Sequence, residues 1–160
     1  MSVEALAQKK QSLFNGKDLS GWTITEFGGQ GEVKVANGEI VAEAGASLTG
    51  VHYTNTLPKK NYELTLDAKK IDGSDFFCAL TFPVNDTHCT LVLGGWGGGV
   101  VGLSSIDGMD ASENETRTYY NFENGRWYAF RLEVTPARIR AWIDEKLIIN
   151  APIAGRAISL

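Results

Sequence analysis

Between Trp127 and Ile149 the chain alternates apolar and polar residues through three successive runs, and this period of two restricts the fold more than any other feature. Tyr128, Phe130, Leu132 and Val134 interleave with Trp127, Ala129, Arg131 and Glu133. After a Thr135-Pro136 turn, Ile139, Ala141 and Ile143 interleave with Arg138, Arg140 and Trp142. Asp144-Glu145-Lys146 then turns the chain into Leu147-Ile148-Ile149. Successive side chains of a strand point to opposite faces, so the spacing predicts three consecutive antiparallel strands sharing one apolar face. Their other face carries Arg131, Glu133, Arg140 and Trp142.

The rest of the chain reads the same way. Val33 to Ala42 is a hairpin around Asn37-Gly38, a pair that tolerates the positive φ angles of a two-residue turn. Tyr62, Leu64, Leu66 and Ala68 alternate with Glu63, Thr65 and Asp67. Phe76 to Phe82 and Cys89 to Leu93 are more uniformly apolar, as strands buried on both faces are. No segment sustains the spacing of an amphipathic helix, and the 18 glycines fall at the short intervals that many tight turns require. Short strands without intervening helices predict an all-β sandwich of antiparallel sheets. The 160 residues suffice for one domain with a real core, assigned to residues 13–160, with residues 1–12 as a polar tail or a single helical turn.

Charge and motif content remove several functions. The net charge of -4 and the scattered Lys and Arg argue against a nucleic-acid partner. No apolar run approaches the roughly 18 residues of a membrane span. The absence of G-x-S-x-G, H-E-x-x-H and P-loop patterns excludes serine-hydrolase, zinc-protease and NTPase readings. Gly97, Gly99 and Gly102 satisfy G-x-G-x-x-G in form, yet Leu103 to Gly108 does not open a helix, so no dinucleotide site is expected.

Four places carry candidate chemistry. Gly94 to Gly99 is read either as an exposed loop presenting Trp96 to the C–H face of a sugar ring or as a glycine bulge with Trp96 packed. Asp107, Asp110 and Glu113 lie in an acidic, turn-rich segment whose oxygen ligands suit a divalent metal such as Ca2+; a solvated loop is the alternative. Trp142 with Arg131, Arg140 and Glu133 forms either a carbohydrate platform or an ordinary ion-paired outer face. Cys78 and Cys89 flank the turn-rich Pro83 to His88 and read as two buried thiols or as a cross-strand disulfide. Cysteine ligation of a metal is not expected, because only His52 and His88 accompany them.

Leu13-Phe14-Asn15-Gly16-Lys17-Asp18-Leu19-Ser20-Gly21-Trp22 resembles the opening signature of the 3-keto-disaccharide hydrolase (DUF1080) family. Val35 to Val41, Tyr62-Glu63-Leu64, and Gly125-Arg126-Trp127 with Ala141 to Asp144 resemble its later motifs in the expected order, over about residues 13 to 150. The resemblance implies a concanavalin-A-like jelly roll, an extracellular or periplasmic location, and cleavage of 3-keto-glycosides. In that chemistry a C3 ketone acidifies the C2 proton, a base removes it and the glycosidic oxygen departs, with a divalent metal assisting. Asp107, Asp110, Glu113 and His88 are then the nearest candidates for the base, and Trp22 and Trp127 occupy signature positions expected to pack. The Ala5-Leu6-Ala7 run has the form of a signal-peptide cleavage site without an apolar stretch before it.

Two departures from the family pattern bear on function. Thr90 stands where the family often carries a glutamate, which favours the alternative of a non-catalytic carbohydrate-binding or protein-interaction module. The family's closing strands have no counterpart before Leu160, which leaves an open sheet edge and self-association through it as an expectation.

Overall fold

The computed structural model describes residues 10–160, so most of the expected N-terminal tail lies outside the described residues. The chain divides into two compact units, split after Thr56. Both are built of strands alone among the described residues, and no helix there is long and apolar enough to cross a membrane.

The first unit holds β1 (Trp22–Ile24), β2 (Val33–Ala36), β3 (Glu39–Ala42) and β4 (Val51–Tyr53). β2 and β3 pair around Asn37 and Gly38, whose φ angles of 53° and 77° are those of the expected turn. β1 pairs antiparallel with β4, and Trp22 lies 5.1 Å from Tyr53. The opening signature is an architectural knot. Asn15 Oδ1 accepts the N–H groups of Lys17 and Asp18, Asp18 Oδ1 accepts that of Ser20, and Trp22 Nε1 donates to Leu13 O at 2.8 Å.

The second unit is the sandwich. β5 (Tyr62–Lys69), β10 (Trp127–Val134), β11 (Arg138–Ile143) and β12 (Lys146–Pro152) form one antiparallel sheet in the order β12-β11-β10-β5. β6 (Cys78–Val84), β7 (Thr87–Gly95), β8 (Val100–Ser104) and β9 (Thr118–Tyr119) form the other in chain order. The alternation read from sequence sets the packing. Tyr128, Phe130, Leu132 and Val134 of β10 and Ile139, Ala141 and Ile143 of β11 meet Phe82, Leu91, Leu93, Val101 and Leu103 of the opposite sheet in one buried core. The Phe130↔Ile143 and Val134↔Ile139 pairs fix the register, because a slip of one residue would turn every apolar side chain to solvent.

Strand register also separates the two cysteines. Cys78 stands opposite Leu93 and Cys89 opposite Phe82, four positions apart along the β6–β7 pair, or about 13 Å at strand rise. No cross-strand disulfide forms. Both thiols are free, and burial pushes each up to about 11.

Trp127 departs from the packing expected of a signature position. It points away from the core with Ala129, Arg131 and Glu133, remains 46% exposed, and carries the Lys69 ammonium 4.9 Å from its ring. Strand parity determines its side.

Candidate functional site

The residues singled out from sequence fall in four separate places. On the outer face of β10 and β11, the Arg131 guanidinium lies 3.7 Å from the Trp142 ring and that of Arg140 lies 5.3 Å away. Arg131 bonds Glu63 at 3.1 Å, while Arg140 donates to Glu133 Oε1 through both Nη2 (2.6 Å) and Nε (3.0 Å). Trp142 is 9% exposed. Cation–π contacts thus hold this indole inside an ion-paired ladder and leave no open platform.

The acidic segment is built inward. Asp107 accepts the Ala157 N–H and a bond from Arg156, whose second nitrogen reaches Glu115. Asp110 Oδ1 accepts both the N–H (2.7 Å) and the hydroxyl (2.6 Å) of Ser112. At the centre Asn114, 4% exposed, donates to Leu103 O and Met109 O and accepts from Thr116 N–H and Oγ1. Thr116 Oγ1 in turn accepts the Leu103 N–H, so these side chains complete the β8 edge where β9 no longer pairs. Among the described residues no three His, Cys, Asp or Glu side chains are grouped to hold a metal ion. Asp107 and Asp110 serve structural bonds and Glu113 stands exposed, so this trio does not fit the expected cation.

The Ala157 N–H and then the Arg156 guanidinium hold the Asp107 carboxyl below its ordinary value, and Arg156 does the same for Glu115. A lowered folded-state pKa contributes stability above the unfolded carboxylate range, and that contribution vanishes as pH falls through the folded value. Arg156→Met should therefore lower Tm near neutral pH, with the gap from the unsubstituted protein closing as the pH is brought down to about 2. A gap that stays constant over a calorimetric pH series would show that these carboxylates contribute nothing through Arg156.

His88 is exposed at the β6–β7 turn, opposite Pro83. Trp96 follows the far end of the same strand, about 26 Å away at strand rise, so the two serve different surfaces. Thr90, on the outer face, shares a 2.8 Å hydroxyl–hydroxyl bond with Thr81.

The glycine run leads to a cleft of about 500 Å³ at one end of the sandwich. Three turns wall it: Lys70 to Ser74 after β5, Gly97 to Gly99 between β7 and β8, and Tyr120 to Asn124 between β9 and β10. Long-range bonds bring them together. Gly125 N–H donates to Lys70 O at 2.7 Å, Asn124 Nδ2 to Gly73 O at 3.0 Å, and Tyr120 N–H to Gly99 O at 2.9 Å. Asp75 joins two walls, its Oδ1 accepting the Gly97 N–H (2.8 Å) and its carbonyl accepting Lys70 Nζ (3.1 Å). Glycine is required at position 98, where φ is 96° and a Cβ would stand 2.6 Å from Ser74 O.

Behind the cleft, Phe122 packs between Phe77 (5.1 Å), Tyr120 (4.7 Å) and Tyr128 (5.1 Å). The buried Tyr128 hydroxyl accepts the Glu123 N–H at 2.7 Å and anchors the backbone that presents the Glu123 carboxylate. The polar residues that line the cleft are Lys70, Ser74, Tyr120, Asn121, Glu123 and Asn124. Groups of these kinds can hydrogen-bond a polyhydroxylated molecule, and a carboxylate with an ammonium can move a proton and hold an oxyanion. Gly99 leads into β8 and not into a helix, so the glycine pattern builds no dinucleotide site. Sequence reasoning singled out none of the polar lining residues; the neighbouring glycines were their only signal.

The family model of the 3-keto-alpha-glucoside-1,2-lyase-like domain matches residues 9–157. No curated protein matches the chain.

Proposed function

The chain belongs to the 3-keto-alpha-glucoside-1,2-lyase-like family, and from that premise we propose that the cleft binds a 3-keto-glycoside and cleaves its glycosidic bond by elimination. The observation that carries this reading is a single concavity in which Glu123 and Lys70 stand among neutral hydrogen-bonding groups. The C3 ketone makes the C2 proton acidic, and Glu123 takes that proton. The electron pair moves onto the ketone oxygen as an enolate, which the Lys70 ammonium stabilises. Collapse of the enolate forms the C1–C2 double bond and breaks the C1–O bond, and the protonated Glu123 returns its proton to the departing oxygen. Addition of water to the unsaturated ketone completes a net hydrolysis. The Asn121 and Asn124 amides and the Ser74 hydroxyl orient the remaining ring hydroxyls.

The second reading, a carbohydrate-binding module, is favoured by the Thr81–Thr90 hydroxyl pair at the position where the family often carries a glutamate. Product analysis separates the two. The folded protein is incubated with 3-keto-disaccharides and with the unoxidised parents, each with and without added divalent cation. Release of sugar from the keto compounds alone is the expected result. Binding of either set without release leaves the module reading in place.

A further inference from the structure

Trp96 has an arrangement that packing does not account for. Its φ of 44° lies in the left-handed region, which bulky side chains avoid, and it sits between Gly94 (φ 75°) and Gly97 (φ 87°). Yet it stays 46% exposed. The strained backbone is held in place by the Gly97 N–H bond to Asp75, and so presents the indole to solvent. Phe76 lies 5.7 Å from it at an interplanar angle of 46° and is itself 42% exposed, so the two rings form an open aromatic corner. The corner adjoins the cleft through the chain on both sides: Trp96 precedes the lining residue Gly97, and Phe76 follows Ser74 by two residues.

We infer that the Phe76–Trp96 corner is the subsite for the leaving group, and that it takes a glycoside whose departing part is itself a ring with an apolar face. The inference rests on the elimination reading of the cleft, because a leaving group has meaning only there. Two rings inclined to each other receive a third ring with one stacked face and one edge contact, an arrangement aromatic π-systems favour. A pyranose offers such a face through its axial C–H groups, and a phenolic aglycone offers it through its π-system. A small alkyl leaving group offers neither. Asp75 acts as the positioning residue, since its carboxylate fixes the loop that carries the indole.

The test uses the full chain with methyl 3-keto-glucoside, an aryl 3-keto-glucoside and a 3-keto-disaccharide. Trp96→Asn removes the ring while keeping a residue that tolerates the left-handed backbone, and Phe76→Leu removes the second ring. Each is expected to raise KM for the aryl and disaccharide substrates about fivefold to tenfold, the scale of one aromatic contact, and to leave the methyl substrate within about twofold. An equal rise for the methyl substrate, or no rise for any, overturns the inference. A larger effect on the aryl substrate than on the disaccharide, or the reverse, identifies which ring the corner prefers. Should no substrate turn over, the elimination reading fails by itself, and titration with unoxidised phenyl glucoside decides the subsite separately. Weaker binding by Trp96→Asn then supports an aromatic-corner site, and unchanged binding overturns it.

Discussion

Glu123→Gln is expected to abolish keto-dependent bond cleavage by about two to four orders of magnitude in kcat while leaving the fold intact, the range that a positioned general base contributes. The side chain is exposed at the cleft and makes no hydrogen bond or ion pair among the described residues, and the backbone contact that places it, from its N–H to Tyr128, survives the substitution. An amide of the same shape still hydrogen-bonds a sugar hydroxyl, so KM should move little. It cannot take the C2 proton. Lys70→Met tests the other half of the site, with an expected loss of about a hundredfold for one oxyanion-stabilising group. The measurement is the initial rate of the unsaturated ketone or of the freed sugar. Glu123→Gln retaining a tenth of the original rate would remove Glu123 as the base.

Asn114→Ala should be the most damaging single truncation for stability outside the apolar core. The side chain is buried and all of its hydrogen-bonding capacity is used, twice as donor to carbonyls and twice as acceptor from Thr116. Alanine strands Leu103 O and the Thr116 N–H together and takes one of two donors from Met109 O, which keeps the Ile106 N–H. Each unsatisfied buried group costs about 1–3 kcal/mol, so a loss of about 3–5 kcal/mol is expected after partial relaxation. For a chain of this size that is a fall in Tm of roughly 10 °C. Asn114→Asp serves as the control of mechanism: it keeps the acceptors for Thr116 but sets a carboxylate against two carbonyl oxygens. It should be at least as destabilised in a denaturant titration at neutral pH. A loss under about 1 kcal/mol for the alanine variant would mean that water replaces the side chain.

The strands were legible because their signal is local. Alternation over Tyr62 to Ala68 and over Trp127 to Ile143 is enforced residue by residue by burial on one face, and the paired registers agree with it. The Asn37-Gly38 turn was legible for the same reason, since the residues that adopt positive φ are few. Trp127 shows where a motif misleads: strand parity already placed it on the polar face, and parity prevailed over its signature position.

The site was harder to read because its parts are distant in sequence. Asn124 meets Gly73 across 51 residues and Asp107 meets Arg156 across 49, and no periodicity marks such turn residues as neighbours. The acidic segment illustrates the ambiguity. Its composition is the same whether its carboxylates face water, bind a cation or bond inward, and the partner that determines the outcome lies almost at the end of the chain. The glycine run was the exception, because a steric demand such as that at Gly98 is written in the residue type itself.

The three walls of the cleft are separate turns rooted in a common pair of sheets, so the tip of one can vary beyond its cross-wall hydrogen bonds while the strands keep their register. On the elimination reading, exchanging the hairpin tip that bears the indole would change which leaving group is accepted, while Lys70 and Glu123 stand on other turns. On that same reading, selectivity and reactivity reside on different turns of one scaffold.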